Sequence, residues 1–516
     1  MAEREAGHEP GPADAAGRLS TSVARAKGEL AERRGDLSQA KRELLARRLS
    51  GRLGAGTRQE LADRAAARRE EAAPTAGFAQ LAGEPPLDLA AEAALDPAIR
   101  VEHPPGAGSM VDAPAGGLGA GRAAAAVAAG GGLDSGAAAG GEPAAVLLTG
   151  ATGFLGAFLL AELLRQTRAT VVCLVRAGGV EEGTARLQRH LEAHGAWDES
   201  SAGRIRVLPG DLARPLLGLP REEFDAAGDA VDAIVHNGAA VLASHPYAAL
   251  KAVNVLGTQE VIRLACRGRP KPLHFVSTLD VFFASGAAGG AALLEDDPLD
   301  HPGGEATGYA QSKWVAEKLV AVARERGLPV WVYRFGRVSW HSASGVWNPD
   351  DGFRRVVDAC LELGSVPDLD AEFVLTPVEF IARAIVALAR GAASGGGAGR
   401  SLHLVNPQPV TSGQLAAWAR ARGRPLAVAP DDEWLAAARR LLPESMLPNL
   451  ARLRARASSG AAGGEGGGAG AGGGGRRGEP DSRIARAALA ARGIECPPID
   501  EASLGAYLER YARRPT

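Results

Sequence analysis

Residues 144–176, AAVLLTGATGFLGAFLLAELLRQTRATVVCLVR, constrain the chain more than any other stretch. The apolar run 144–149 is too short for a helix and leads into glycines at 150, 153 and 156, spaced G-x-x-G-x-x-G. Phe154–Gln166 is apolar all round, the pattern of a helix packed on a sheet, and Thr170–Val175 is a β-branched, buried strand. Strand, glycine turn, helix and strand make one βαβ unit. In such a unit Gly150 permits the tight turn, Gly153 lets a pyrophosphate approach the backbone, and Gly156 lets the helix lie close to the sheet. The helix start then offers free N–H groups and a partial positive charge to phosphates. A glycine triplet is a weak signal by itself; following a strand and opening a helix is what makes it a dinucleotide signal. The run is also long and apolar enough to suggest a membrane span, but the glycine turn, Glu162 and Arg165 argue against one.

The pattern continues beyond this unit. Strands are expected at 205–209, 231–236, 273–277 and 330–334, with helices at 247–266 and 309–326. Alternation of this kind predicts an α/β fold, a Rossmann-type, doubly wound parallel sheet with its ligand at the carboxyl ends of the strands. From about 348 the alternation gives way to helices at 352–362, 377–390, 413–422, 431–442, 445–456, 482–492 and 502–513, with a short strand at 401–406. The expected domains are a charged, partly helical region (1–83), a linker with Gly/Ala-rich low complexity (84–143), an NADP-binding Rossmann domain (144–347) and a smaller, mostly helical substrate-side domain (348–516). The last carries a Gly-rich insert at 458–477 that reads as disordered. Asp36–Leu53 shows one apolar helix face, fitting a solvated helix or a docking element for a partner. DLAAEAALDPAIR at 88–100 reads as one short helix ending before Pro97. GLDSG at 132–136 looks like a carrier's phosphopantetheine serine, but its flanks lack helical periodicity and the match reads as chance.

Composition excludes several classes. A net charge of −2 over 516 residues gives no global field for nucleic acid or an anionic membrane. Four scattered cysteines with no C-x-x-C suit a reducing compartment and give no metal site. No signal peptide and no other candidate span reads from the chain, so a cytoplasmic protein without integral membrane association is expected.

Candidate chemistry lies just past the strand ends, at Asp211, at Asn237–Ala240 and at Thr278. Tyr309 and Lys313 stand four apart in YAQSK, on one helix face. A lysine there can lower the phenol pKa and hold a nicotinamide ribose, and the phenol can donate a proton to a carbonyl under reduction. Thr278 supplies a second hydroxyl. The 31 positions from 278 to 309 (309 − 278) are acidic and glycine-rich and read as a candidate lid. The cofactor type is read 20 positions past the last glycine (176 − 156), where an acidic residue binds a ribose 2′-hydroxyl and an arginine accommodates a 2′-phosphate. Arg176 stands there, with Arg186 placed to assist, and the reading is NADP; the alternative is a surface arginine.

The order TGATGFLG, CLVRA, GDL, HNGAAV, Asn254, Ser277-Thr278 and Tyr309-x-x-x-Lys313 resembles extended short-chain dehydrogenase/reductases. More narrowly the chain is similar to the thioester reductase domains of nonribosomal peptide synthetases, carboxylic acid reductases and α-aminoadipate reductases, through LAAEAALDPAIR, CLELGSVPD, LHLVNPQPV and ARGIECPPID as well. The resemblance covers roughly residues 87–516, interrupted by low-complexity insertions, and LSQAKRELLARRL at 37–49 is similar to linkers between synthetase domains. It implies NADPH-dependent reduction of an acyl, aminoacyl or peptidyl thioester, on a carrier's phosphopantetheine or on coenzyme A, to an aldehyde or further to an alcohol. Thr278 and Tyr309 would bind the oxyanion, and Lys313 would orient the ribose and tune Tyr309. The cofactor would be held by Gly150, Thr152, Gly153, Phe154, Leu155, Gly156, Arg176, Arg186, Asp211, Leu212, Asn237, Gly238, Ala239, Ala240, Asn254, Tyr309 and Lys313. No adenylation or carrier domain reads from the sequence, so the thioester is expected in trans. The alternatives are an epimerase or reductase acting on a nucleotide sugar or free carbonyl, and a non-catalytic NADP-binding protein.

Overall fold

Seven parallel strands form the sheet that places the site. They are β1 (Ala145–Thr149), β2 (Thr170–Val175), β3 (Ile205–Pro209), β4 (Ala233–His236), β5 (Leu273–Val276), β6 (Val330–Arg334) and β7 (Ser401–His403), in the order β7-β6-β5-β4-β1-β2-β3. The computed structural model describes residues 87–101, 142–242, 244–284, 292–299, 306–369, 372–392, 399–446 and 479–512. The expectations for residues 36–53, 132–136, 445–456 beyond Met446, and 458–477 lie outside these, as does most of the Gly/Ala-rich tract.

Strand order reverses between β4 and β1, which opens a crevice at the carboxyl ends of those strands. Both faces of the sheet are covered, and this is why its strands read as continuous apolar runs. The helix expected at 247–266 divides into α5 (Tyr247–Lys251) and α6 (Gly257–Ala265), joined by a π-helical turn, Ala252–Leu256, that carries Asn254. Leu147 and Ile234 point to one core, shared with α6 and α7 (Gly308–Glu325). Val146, Leu148 and Val235 point to the other, shared with α2 (Phe154–Gln166), α3 (Val180–Ala193) and α9 (Val378–Ala392). Helix α3 and α4 (Arg221–Ala230) escape a sequence reading because each buries only a narrow stripe: Gly183, Leu187 and Leu191 in one, Phe224 and Gly228 in the other.

Three regions depart from the expected layout. The segment 87–101, assigned to the linker, is a packed strap. Its helix α1 (Leu89–Glu92) is capped by the Asp88 carboxylate and stops well short of Pro97. Leu89, Leu95 and Ile99 are buried, and Arg326 donates to the carbonyls of Leu95, Asp96 and Ile99. The boundary at 348 is also not where the layers divide. Helix α9 packs in the core beside α2, and β7 extends the Rossmann sheet next to β6; a three-residue strand is too short to be assigned to a sheet from pattern alone. The rest of the C-terminal part is mostly helical, with α8 (Gly352–Leu363), α10 (Ser412–Ala421), α11 (Asp431–Ala438), α12 (Arg483–Ala490) and α13 (Glu501–Ala512). It has its own aromatic core, in which Trp340, Trp347 and Tyr507 meet with ring centroids 4.9–6.0 Å apart. Lastly, the candidate lid is pinned at its middle: Leu293 pairs with Pro480, the Leu293 N–H donating to Glu479 and the Asp481 N–H to Leu293.

Candidate functional site

The glycine turn is built from backbone. Gly150 has φ +71°, and a Cβ there would stand 2.7 Å from the Gly238 Cα, so two glycines let the β1 and β4 ends touch. A Cβ on Gly156 would fall 2.0 Å from the Gly150 carbonyl oxygen. The third glycine therefore serves the contact of α2 with the turn itself, closer in than the helix–sheet contact expected. Gly153 is the N-cap of α2 and makes no side-chain cap, and no acidic residue stands in the first turn. Its N–H donates to the Gly150 carbonyl at 3.0 Å, and Asn237 Nδ2 donates to the same oxygen at 3.2 Å. Leu155 is buried and Phe154 packs its ring 5.4 Å from Phe158, so both support the turn from behind while Thr152 stays half-buried. An uncapped helix start beside a cradle that side chains would fill fits a phosphate group.

Beneath the cradle runs a buried relay. The Gly238 N–H donates to Thr149 Oγ1 (2.9 Å), which lies 2.7 Å from His236 Nδ1; His236 Nε2 lies 3.0 Å from Thr258 Oγ1, which donates to the Asn254 carbonyl (2.7 Å). Since Thr258 gives its proton to Asn254, it accepts from His236 Nε2–H, and Nδ1 accepts from Thr149. Burial pushes His236 down to about 3, so the neutral ring is the resident form. Asn254, read as a cofactor contact, is spent on protein: its amide brackets the Ala240 backbone (2.7 and 3.0 Å) and donates to Ser312 (2.9 Å). It braces the Ala239–Ala240 turn against α7.

At the end of β2, Arg176 is exposed, and its guanidinium has no hydrogen-bond or ion-pair partner among the described residues. Arg186 donates to the Arg176 carbonyl at 2.7 Å and so steadies this turn. Asp211 and Leu212 sit at the end of β3. The Asp211 N–H donates to Leu217 at 2.7 Å, across a turn in which Leu216 and Leu217 take φ +51° and +57°, and the Leu212 side chain packs against Gly238. His190, which no motif marks, donates to the Gly153 carbonyl at 3.1 Å.

The third group gathers at the end of β5. Lys313 is buried; its ammonium donates to the Val276 carbonyl at 2.8 Å and lies 4.0 Å from the Phe275 ring centroid. This contact ties α7 to the end of β5; Tyr309 stands one turn before Lys313 and feels the charge of Asp280, two residues past Thr278. Burial pushes Lys313 down to about 7, against the pull of Glu317. Tyr309 departs from expectation: burial, helped by the charge of Asp280, raises its phenol above the ordinary value. The phenol thus stays protonated at neutral pH, as a proton donor requires. Thr278 Oγ1 accepts from the Asp280 N–H at 3.2 Å and keeps its own hydrogen to donate. Glu317 and Arg334, an ion pair with both side chains 4% exposed, stand behind these residues and went unread in the sequence.

The family model for the NAD-binding domain described as "Male sterility protein" matches residues 148–385. A linear gramicidin synthase protein of Brevibacillus parabrevis is 40% identical over 378 residues, covering 72% of this chain and 7% of that protein. The crystal structure of the terminal R domain from the myxalamid PKS-NRPS biosynthetic pathway superposes with a TM-score of 0.64 at 39% identity, covering 82% of this chain and 96% of that one. The reductase (R) domain of a nonribosomal peptide synthetase from Mycobacterium tuberculosis gives 0.59 at 28% identity, covering 77% and 96%. The chain spans between 7% and 31% of the length of the first curated relatives it matches.

Proposed function

We propose, from the premise that this chain belongs to the family of terminal reductase (R) domains and is an oxidoreductase on an NAD(P)-binding fold, that it reduces thioesters with NADPH. The observation that supports this reading best is the 2.8 Å bond from Lys313 to Val276, which ties the helix of Tyr309 to the strand end two residues before Thr278. NADPH, when bound, supplies the hydride. The backbone from Gly150 to Gly156, with Asn237–Ala240, holds its phosphates, and Asp211 and Leu212 line the same crevice. Arg176 holds the 2′-phosphate, from a turn that Arg186 supports. Lys313 orients the nicotinamide ribose. Thr278 and Tyr309 donate hydrogen bonds to the thioester oxygen as negative charge develops on it, and Tyr309 then gives up its proton. Preorganised donors of this kind contribute about 10²–10³ each in rate. The hemithioacetal so formed collapses to aldehyde and thiol; a second round would give the alcohol. The thioester is carried on a carrier's phosphopantetheine arm or on coenzyme A, in a cytoplasmic, reducing setting that suits the four free cysteines.

The test is direct. Purified protein is mixed with NADPH and a long-acyl or aminoacyl thioester, on coenzyme A and on an isolated carrier, and NADPH absorbance is followed. The expected outcome is oxidation that depends on the thioester. No oxidation with any of them, alongside turnover of a nucleotide sugar, would sink the reading in favour of an epimerase-like enzyme.

A further inference from the structure

Glu317 lies one helical turn past Lys313 on α7 and is 4% exposed. Its carboxylate accepts three hydrogen bonds. Oε2 accepts from Ser277 Oγ at 2.5 Å, and Oε1 accepts from Arg334 Nε and Nη2 at 2.8 and 2.5 Å. Three elements are therefore tied at one carboxylate: the β5 end at Ser277, next to Thr278; the β6 end at Arg334; and the helix of Tyr309 and Lys313. Arg334 carries the tie outward, donating to the Glu295 carbonyl at 3.2 Å. The Glu295 carboxylate accepts from the backbone of His403 (2.8 Å), Ile484 (2.7 Å) and Ala485 (3.0 Å), the last two at the start of α12. A buried ion pair of this kind is no cheap source of stability, because removing two charges from water costs several kcal/mol per ion. Apolar side chains would fill the space as well. What they could not supply is a negative charge beside the lysine and a fixed acceptor for Ser277.

We propose that Glu317 is a positioning residue of the reaction, holding the helix of Lys313 and the Ser277–Thr278 strand end in register, with Arg334 and Glu295 tying that register to the C-terminal segment. The inference rests on the role given to Lys313 in the proposed function. One turn to either side of Lys313 on its own helix stand Tyr309 and Glu317; facing it are the Val276 carbonyl and Phe275 ring on β5 and His236 on β4, which burial keeps neutral, while Arg334 stands behind Glu317 on β6. Among described charges, Glu317 is the one that favours the ammonium, and burial opposes it.

The test compares the full-length wild type with Glu317→Gln and Glu317→Asp. Nicotinamide-cofactor affinity is measured by fluorescence, and kcat/KM with the thioester, across about pH 6 to 9, bracketing the ordinary range of a lysine lowered by burial. Both should fall as pH rises and Lys313 loses its proton. Glu317→Gln should move that fall to lower pH by about one unit, and Glu317→Asp, which keeps the charge, should leave its position in place while lowering kcat. Should Glu317→Gln fail to fold because Arg334 is left unpaired, Glu317→Gln/Arg334→Gln removes both charges and should shift the fall in the same direction by less, because loss of the Arg334 cation partly offsets loss of the carboxylate. A folded Gln variant with an unmoved profile overturns the inference, and so does a wild-type affinity that is flat over this range. Absence of thioester turnover in the wild type would count against the proposed function alone, because the affinity measurement still decides the role of Glu317.

Discussion

The two halves of the site are made from different materials. The half at β1, β2 and β4 is built of backbone: a positive-φ glycine, a helix start without a cap, and glycines where a Cβ would collide. The half at β5, β6 and α7 is built of side chains: Lys313 on Val276, Thr278 under Asp280, and Glu317 between Ser277 and Arg334. The contrast follows from what each half is proposed to hold. Phosphates are met by several weak N–H donors at once, which only bare backbone can bring close enough. A proton donor needs one group at one place with its pKa set, and burial among chosen partners does that.

The largest effect should separate the halves outright. Tyr309→Phe removes the proposed proton donor and leaves the cradle intact, so turnover should fall by about 10²–10⁴-fold. Cofactor affinity, measured by fluorescence titration, should be unchanged; a parallel loss of binding would mean that the halves are not separable. Acid should break both together. His236 lies under the cradle, and His274 and His403 lie under the other half; burial holds them down to about 3, 3 and 4. With folded values below the ordinary one near 6.5, the unfolded chain takes up protons first as pH falls. Stability is then complete above about pH 6.5 and drains away towards about pH 3 to 4, by roughly 2 kcal/mol per histidine at pH 5. Thermal melts across this window should show a single falling midpoint with cofactor binding lost alongside it. Separate transitions for binding and melting would show that the halves rest on different supports.

Gly156→Ala attacks the backbone half alone. Its Cβ would meet the Gly150 carbonyl, which cannot move without reshaping the turn. The expected cost is about 1–3 kcal/mol in stability, seen in denaturant melts, with cofactor binding weakened more than any residual kcat. A variant as stable and as tight-binding as the wild type would show that the turn is looser than its geometry. The smallest effect concerns Arg176, the side chain proposed to read the cofactor's 2′-phosphate. Arg176→Asp should lower the preference for NADPH over NADH by about tenfold, with kcat on saturating cofactor nearly unchanged. An unaltered ratio of the two kcat/KM values would remove Arg176 from contact with the 2′-phosphate.

What the sequence determined by itself is whatever repeats at short range. The βαβ unit, the three glycines, the arginine 20 positions beyond them and the Tyr-x-x-x-Lys helix are all periodicities of a few residues or one supersecondary unit, and the parallel sheet follows from their alternation. Tertiary structure decided what depends on residues far apart in the chain. Ser277 meets Glu317 across 40 positions and Glu295 meets Ile484 across 189. No spacing announces such pairs, because burial selects them only after the layers have closed. The same reason hid β7, whose three residues become a strand only beside β6. It also hid the packing of the strap at 87–101, where three apolar side chains and Arg326 draw a short helix placed within the linker into the core. The direction of the Tyr309 shift belongs with these. Its spacing to Lys313 is local, but the burial and the Asp280 charge that raise its phenol are products of the fold.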